Sequence, residues 1–116
     1  MCHVLIIEDE FLIAEMLAWM VETNGADTTS IAGSVFAALK EARDNRPSLI
    51  VSDVDLGTGG KGPDAVSKIR DELGDIPVIF VTATPGECRS CDYASAILDK
   101  PVSPERFAAA VRAIGT

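Results

Sequence analysis

Four short apolar runs in this chain of 116 residues each lead into a polar residue. In chain order the polar residues are Glu8 and Asp9, then Asp53, Thr82 and Lys100. Apolar runs that alternate with stretches of helical periodicity predict βα units and a parallel sheet covered on both faces. Ligands bind at the carboxyl ends of the strands in such open sheets, so we expect these side chains to form one site.

The hydrophobic pattern also gives the approximate bounds of each element. It predicts strands at 3–7, 27–31, 48–52, 77–82 and 96–98. It predicts helices at 10–23, 34–45, 63–73 and 104–114, and a short helix around 86–93. Ser34 and Ser103 are predicted N-caps, Pro104 follows at the first helical position, and Gly25 is suited to a left-handed helix end.

The first predicted helix shows its inward apolar stripe well. The helical spacing predicts an inward stripe formed by Ile13, Met16, Leu17 and Met20. Trp19 and Leu12 lie off that stripe, which is compatible with a partner surface or with partial burial against the last helix.

Length and charge limit the function classes. A chain of this size is expected to be one domain, residues 1–116. A net charge of -8 with scattered Lys and Arg argues against a nucleic-acid partner. The apolar runs are too short for a signal peptide or a membrane span, so we expect a cytoplasmic protein with Cys2, Cys88 and Cys91 reduced.

The strand-end residues have a chemistry in common. Three carboxylates, Glu8, Asp9 and Asp53, would repel one another at one sheet edge unless a cation held them. Mg²⁺ prefers hard oxygen ligands and often takes one or two carboxylates together with substrate phosphate. Lys100 adds a positive charge and Thr82 adds a hydroxyl, so the set suits a phosphoryl group.

The motifs resemble the receiver domain of bacterial two-component response regulators across essentially the whole chain. The segments that carry the resemblance are residues 4–10 (VLIIEDE), 47–56 (PSLIVSDVDL), 76–83 (IPVIFVTA) and 99–101 (DKP). The resemblance implies a flavodoxin-like (βα)5 three-layer sandwich, with a five-stranded parallel sheet of order 2-1-3-4-5. It implies a phosphoreceiver that is not an enzyme and that takes its phosphoryl group from a sensor histidine kinase or histidine phosphotransfer protein, then acts on a downstream protein target.

The resemblance also assigns roles to individual residues. Asp53 matches the phosphoacceptor, whose carboxylate oxygen forms an acyl phosphate. Glu8 and Asp9 match the acids that bind Mg²⁺ directly or through water, and the metal set is completed by Asp53 and the backbone carbonyl of Asp55. Thr82 matches the hydroxyl that turns toward the phosphoryl group after transfer, and Lys100 matches the lysine that pairs with it.

The chain departs from the family pattern in two places. The loop 56–62 (LGTGGKG) has four glycines and no proline. These glycines are compatible with a permissive turn or with backbone amides that approach phosphate oxygens. Between Thr82 and Lys100 the family's fourth helix is expected to be short or irregular, and Ile97 replaces the usual aromatic switch residue. We therefore hypothesise that phosphorylation orders residues 84–95, which hydrogen exchange with and without a phosphoryl mimic would test.

Three alternatives remain from the residues alone. Cys88 and Cys91 form a C-x-x-C pair, but a pair without two further ligands is a weak metal or redox signal. Asp53-Val54-Asp55 is similar to the nucleophile motif of haloacid-dehalogenase-type phosphatases, although Thr58 lies one residue too far along. A degenerate receiver used as a binding module is the third alternative, and the intact set of site residues argues against it.

Overall fold

The computed structural model describes residues 3–83 and 93–114, and these form an alternating α/β fold. The strands are β1 (His3–Ile7), β2 (Thr28–Ala32), β3 (Leu49–Asp53), β4 (Val78–Thr82) and β5 (Ala96–Asp99). The helices are α1 (Phe11–Thr23), α2 (Val35–Asp44), α3 (Gly62–Leu73) and α4 (Pro104–Ala113), with a short 3-10 helix at Gly57–Gly59. The sheet is parallel with the order β2-β1-β3-β4-β5, which confirms the flavodoxin-like topology expected from the sequence.

The two faces of the sheet are covered by different pairs of helices. Successive side chains of a strand point to opposite faces. Leu5 and Ile7 of β1 accordingly pack with residues of α2 and α3, including Ile69. Val4 and Ile6 pack with residues of α1 and α4, including Phe107. This three-layer arrangement buries β1, β3 and β4 completely and explains why their sequences are continuous apolar runs.

The predicted helix ends are found where capping chemistry placed them. Ser34 Oγ accepts a hydrogen bond of 3.1 Å from the Ala37 amide, and Ser103 Oγ accepts one of 3.3 Å from the Arg106 amide. Gly25 has a φ of 110°, in the left-handed region favoured by glycine. These local signals therefore fix the entry of α2 and α4 and the exit of α1.

The predicted inward stripe of α1 was only partly right. Leu17 and Met20 are buried, but Met16 is 37% exposed, and the buried face is completed by small residues, Ala14 and Ala18. Almost every position of α1 is apolar, so hydrophobic periodicity alone could not select the face. Close approach of the helix to the sheet requires the alanine side, because small side chains let the two backbones come together.

The remaining differences concern boundaries and the region between β4 and β5. Strands β2, β3 and β4 begin one residue later than predicted, and the 3-10 helix was not predicted. The short helix expected around 86–93, the Cys88–Cys91 pair and most of segment 84–95 lie outside the described residues. Within the described ranges, no helix has the length and apolar character needed to span a membrane.

Candidate functional site

The strand register brings the predicted site residues to one edge of the sheet. Asp53 at the end of β3 is level with Val81, one residue before Thr82. The next strand continues the row, with Thr82 paired to Asp99 and the Lys100 amide donating to the Thr82 carbonyl at 2.9 Å. β1 lies on the other side of β3 and delivers Glu8 directly after Ile7. Parallel register thus converts four distant sequence positions into one cluster.

Lys100 is the centre of this cluster. Its Nζ lies 3.0 Å from Glu8 Oε1 and 3.1 Å from Asp53 Oδ2. Glu8 and Asp53 are both buried, and the Lys100 side chain is only 17% exposed. One ammonium group is therefore shared by two carboxylates that have little contact with solvent.

The pKa values reflect this competition between burial and pairing. Burial raises the pKa of the Glu8 carboxyl to about 7, although the hydrogen bond from Lys100 opposes the shift. Burial also acts to lower the pKa of Lys100, but its hydrogen bonds to Glu8 and Asp53 prevail and leave that pKa raised. The lysine therefore stays charged while Glu8 holds a proton more readily than an ordinary glutamate.

The three acids fit a divalent cation. Glu8, Asp9 and Asp53 each have a carboxylate oxygen within 4.8 Å of a carboxylate oxygen of the other two residues. Asp9 is exposed, and Glu8 and Asp53 are buried. Three carboxylates against one ammonium leave excess negative charge, and an all-oxygen donor set of this kind suits Mg²⁺ better than softer metals.

An open pocket of about 320 Å³ lies over the acids. Asp53, Thr82 and Lys100 line it, so the three residues predicted to handle the phosphoryl group face one space. Glu10 and Gly57 also line the pocket, and sequence reasoning did not single them out. Glu10 could have been suspected, because it directly follows the two predicted metal-binding acids.

Asp55 is placed differently from the other acids. Asp55 lines the same pocket, and its carboxylate is held within the loop by the Gly57 amide at 2.9 Å and by Lys61 Nζ at 3.3 Å. The Gly57 hydrogen bond and the Lys61 contact hold the pKa of the Asp55 carboxyl below its usual range. The Asp55 carboxylate is thus engaged within the loop, and the role of the Asp55 carbonyl as a metal ligand stays a prediction.

The glycines of the loop are required by packing. A Cβ on Gly62 would overlap the carbonyl oxygen of Asp53, and one on Gly59 would lie 2.6 Å from the Gly33 carbonyl oxygen. The amides of Gly59 and Gly60 donate to Leu56 and Gly57 carbonyls inside the loop. Of the two readings left open by the sequence, the structure therefore favours a tight turn over a set of free phosphate-binding amides.

A family model for the response regulator receiver domain matches residues 4–112 of the chain. The chain belongs to this receiver family. The phyllosphere-induced regulator PhyR of Methylorubrum extorquens is 42% identical over 84 residues, which cover 72% of this chain and 31% of PhyR. The transcriptional regulatory protein YvrH of Bacillus subtilis is 32% identical over 114 residues, which cover 95% of this chain and 47% of YvrH.

Solved receiver structures agree with the fold. The response regulator PhyR from Brucella abortus has a TM-score of 0.84 at 34% identity, over 96% of this chain and 46% of that one. The PhyR receiver domain from Erythrobacter litoralis also has a TM-score of 0.84, at 32% identity, over 97% of this chain and 88% of that domain. The chain thus spans less than half the length of the curated relatives described above.

Family membership argues against the phosphatase alternative of the sequence. Asp53 ends the third strand of a receiver sheet, whereas the phosphatase motif would end the first strand. The chain is a receiver domain of the response regulator type, with the acidic cluster expected of a family that binds Mg²⁺. Ile97, which stands at the usual aromatic switch position, is 45% exposed at the edge of the sheet.

Proposed function

We propose that this receiver domain accepts a phosphoryl group on Asp53 in a Mg²⁺-dependent reaction. The observation that supports the proposal most directly is the position of Asp53. Asp53 lines the pocket, and its carboxylate lies 3.1 Å from Lys100 Nζ and belongs to the acid cluster that fits a metal. The proposed nucleophile Asp53 is thus in contact with the Lys100 ammonium and lies among the acids that would bind the metal.

The proposed chemistry is a single displacement at phosphorus. A carboxylate oxygen of Asp53 attacks the phosphorus of a phosphohistidine, the new O–P bond forms an acyl phosphate, and the P–N bond breaks. The electron pair of that bond returns to the imidazole nitrogen, and the ring takes up one proton from solvent and leaves as neutral imidazole. Mg²⁺, when bound, would neutralise charge on the transferring oxygens and bring the acceptor and donor together.

Glu8, Asp9, Asp53 and the Asp55 carbonyl would hold the metal in this scheme. Lys100 would compensate the charge of the phosphoryl oxygens, since its ammonium already contacts the acceptor carboxylate. Thr82 lines the same pocket and would donate its hydroxyl hydrogen bond to a phosphoryl oxygen. Because Asp53 is consumed in each event, we propose a phosphoacceptor with slow autodephosphorylation rather than a turnover enzyme.

Phosphotransfer from candidate kinases to Asp53→Ala tests this assignment. Wild type should be labelled in the presence of Mg²⁺ and should stay unlabelled when EDTA is present from the start, and the variant should not be labelled in either condition. Asp99→Ala is the matched control, because Asp99 also ends a strand at this edge but does not line the pocket. Label on Asp53→Ala would show that the nucleophile is another residue. Rapid multiple turnover of phosphate esters would instead support a phosphatase.

We infer that the phosphodonor protein docks on the exposed face of α1. Leu12 is 81% exposed and Trp19 is 62% exposed, and with Met16 they follow the i, i+4, i+7 spacing of one helix face. Glu10, which lines the pocket, immediately precedes this helix. A donor helix on this face would therefore lie beside Asp53, as the family resemblance suggests.

This docking face has a selective test. Trp19→Ala should slow transfer from the protein donor and leave phosphorylation by acetyl phosphate unchanged, because the small donor needs no docking. Phe36→Ala is the control, since Phe36 is also a highly exposed aromatic residue but lies on α2. Equal slowing with both donors would indicate damage to the pocket and not loss of docking.

We further propose that the output is a protein contact in the cytoplasm. A PhyR structure from Bartonella quintana, described as an anti-anti-sigma factor, has a TM-score of 0.82 to this chain at 35% identity. Such an output agrees with the net charge of -8, which disfavours contact with nucleic acid through this domain. Binding of the phosphorylated and unphosphorylated domain to candidate protein targets would test the proposal, and equal affinity would contradict it.

A further inference from the structure

The loop that follows Asp53 closes on itself as a short hairpin. Asp55 and Lys61 form an isolated antiparallel bridge. Hydrogen bonds flank the bridge on both sides, from Leu56 N to Gly60 O at 3.0 Å and from Gly62 N to Val54 O at 2.9 Å. Asp55 and Lys61 are thus a pair without direct backbone hydrogen bonds, the type in which opposite side chains lie closest.

Both oxygens of the Asp55 carboxylate have partners inside this hairpin. Oδ1 accepts a hydrogen bond of 2.9 Å from the Gly57 amide, and Oδ2 lies 3.3 Å from Lys61 Nζ. The two side chains are about half exposed, so the ion pair adds little to global stability. Its effect is therefore expected to be local, on the geometry of the loop.

We propose that Lys61 is a positioning residue that clasps Asp55 and sets the metal-binding loop. By engaging the Asp55 carboxylate, Lys61 keeps that side chain in the hairpin, so that the residue presents its backbone carbonyl to the metal. The packing of Gly62 on Asp53 anchors the end of the same hairpin to the acceptor residue. The inference deepens the proposed function and rests on the Mg²⁺ site described there.

A charge-neutral double variant separates positioning from electrostatics. Asp55→Asn/Lys61→Met removes the clasp without changing net charge, and the Asp55 backbone carbonyl remains. We expect its Mg²⁺ dissociation constant, measured by titration calorimetry, to rise about two- to fivefold, the range of a cross-strand ion pair. Lys61→Arg, which keeps the pair, should stay within about twofold of wild type. Lys40→Met/Asp44→Asn removes another exposed ion pair and should also leave Mg²⁺ affinity unchanged.

Two measurements without metal or phosphoryl transfer complete the test. In EDTA, the amides of Leu56 and Gly62 should exchange faster in the Asp55→Asn/Lys61→Met variant than in the Lys40→Met/Asp44→Asn control. The urea midpoints of the two variants should agree, because a merely structural role would lower the midpoint and spare Mg²⁺ affinity. Unchanged Mg²⁺ affinity and unchanged exchange would overturn the clasp. If wild type itself does not bind Mg²⁺, both the proposed function and the role of Lys61 are contradicted. If wild type binds Mg²⁺ and the variant binds equally well, only the role of Lys61 is contradicted.

Discussion

Replacing Lys100 with methionine tests the electrostatic organisation of the pocket. The variant retains most of the aliphatic length but removes the ammonium that contacts Glu8 at 3.0 Å and Asp53 at 3.1 Å. Both carboxylates are buried, and they would be left facing each other without that compensation. Removing one partner of a buried ion pair costs about 3–5 kcal/mol in a dry interior. The pocket beside these residues is open to solvent, so we expect a cost below that range, about 2–3 kcal/mol.

The free energy of unfolding in EDTA, measured by urea denaturation, gives this loss directly. Lys68→Met is the control, because Lys68 is exposed on α3 and the substitution should change stability by less than about 0.5 kcal/mol. Millimolar Mg²⁺ should restore part of the stability of Lys100→Met, since a divalent cation in the acid cluster replaces the missing positive charge. A loss no larger than that of the control would refute the view that Lys100 holds the two acids together. A loss that Mg²⁺ does not reduce would refute the view that the same acids bind the metal.

Three further predictions concern other parts of the molecule. Gly62→Ala should destabilise the protein by about 1–3 kcal/mol, because the added Cβ would overlap the Asp53 carbonyl. Gly33→Ala is the control: its added Cβ would have its nearest contact at 3.7 Å, so the effect in the same denaturation assay should be smaller. Ser34→Ala and Ser103→Ala should each lower stability by about 1 kcal/mol through loss of an N-cap, and a loss near zero in either would contradict that role. The pKa of Glu8 is raised in the folded state to about 7. In EDTA, the contribution of Glu8 to the free energy of unfolding is therefore complete below its unfolded pKa of 4.5 and is lost as the pH rises through 7. This decrease in the free energy of unfolding is at most about 3 kcal/mol. Urea denaturation from pH 5 to pH 8 should show the decrease in wild type and not in Glu8→Gln.

Most of the fold could be predicted because its signals are local. The apolar runs of β1, β3 and β4 are buried on both faces, and such strands can only be covered by helices on each side. The caps at Ser34 and Ser103 marked helix starts by their own hydrogen-bonding chemistry. The face of α1 was harder, since burial of Ala14 and Ala18 depends on how closely the helix approaches the sheet, which no single-sequence pattern records.

The site residues at strand ends could also be predicted, whereas a contact within the loop after Asp53 could not. Strand-end positions predicted that Glu8, Asp53, Thr82 and Lys100 would meet, and the register places them at one edge. The clasp between Asp55 and Lys61 could not be predicted, because it depends on a hairpin whose turn is set by glycines packing against distant backbone. Pairings that follow strand order are readable in the sequence, whereas pairings made by an irregular loop depend on its tertiary contacts.

The sharing of Lys100 between Glu8 and Asp53 would couple the proposed phosphorylation of Asp53 to the ends of β4 and β5. Lys100 follows β5, and its amide donates to the carbonyl of Thr82 at the end of β4. A phosphoryl group on Asp53 would add negative charge within reach of the lysine and draw its ammonium from Glu8 toward the new oxygens. Glu8, whose pKa is raised by burial, would then take up a proton more readily. A change at Asp53 would therefore reach the hydrogen bond between the Lys100 amide and the Thr82 carbonyl, which joins the ends of β4 and β5.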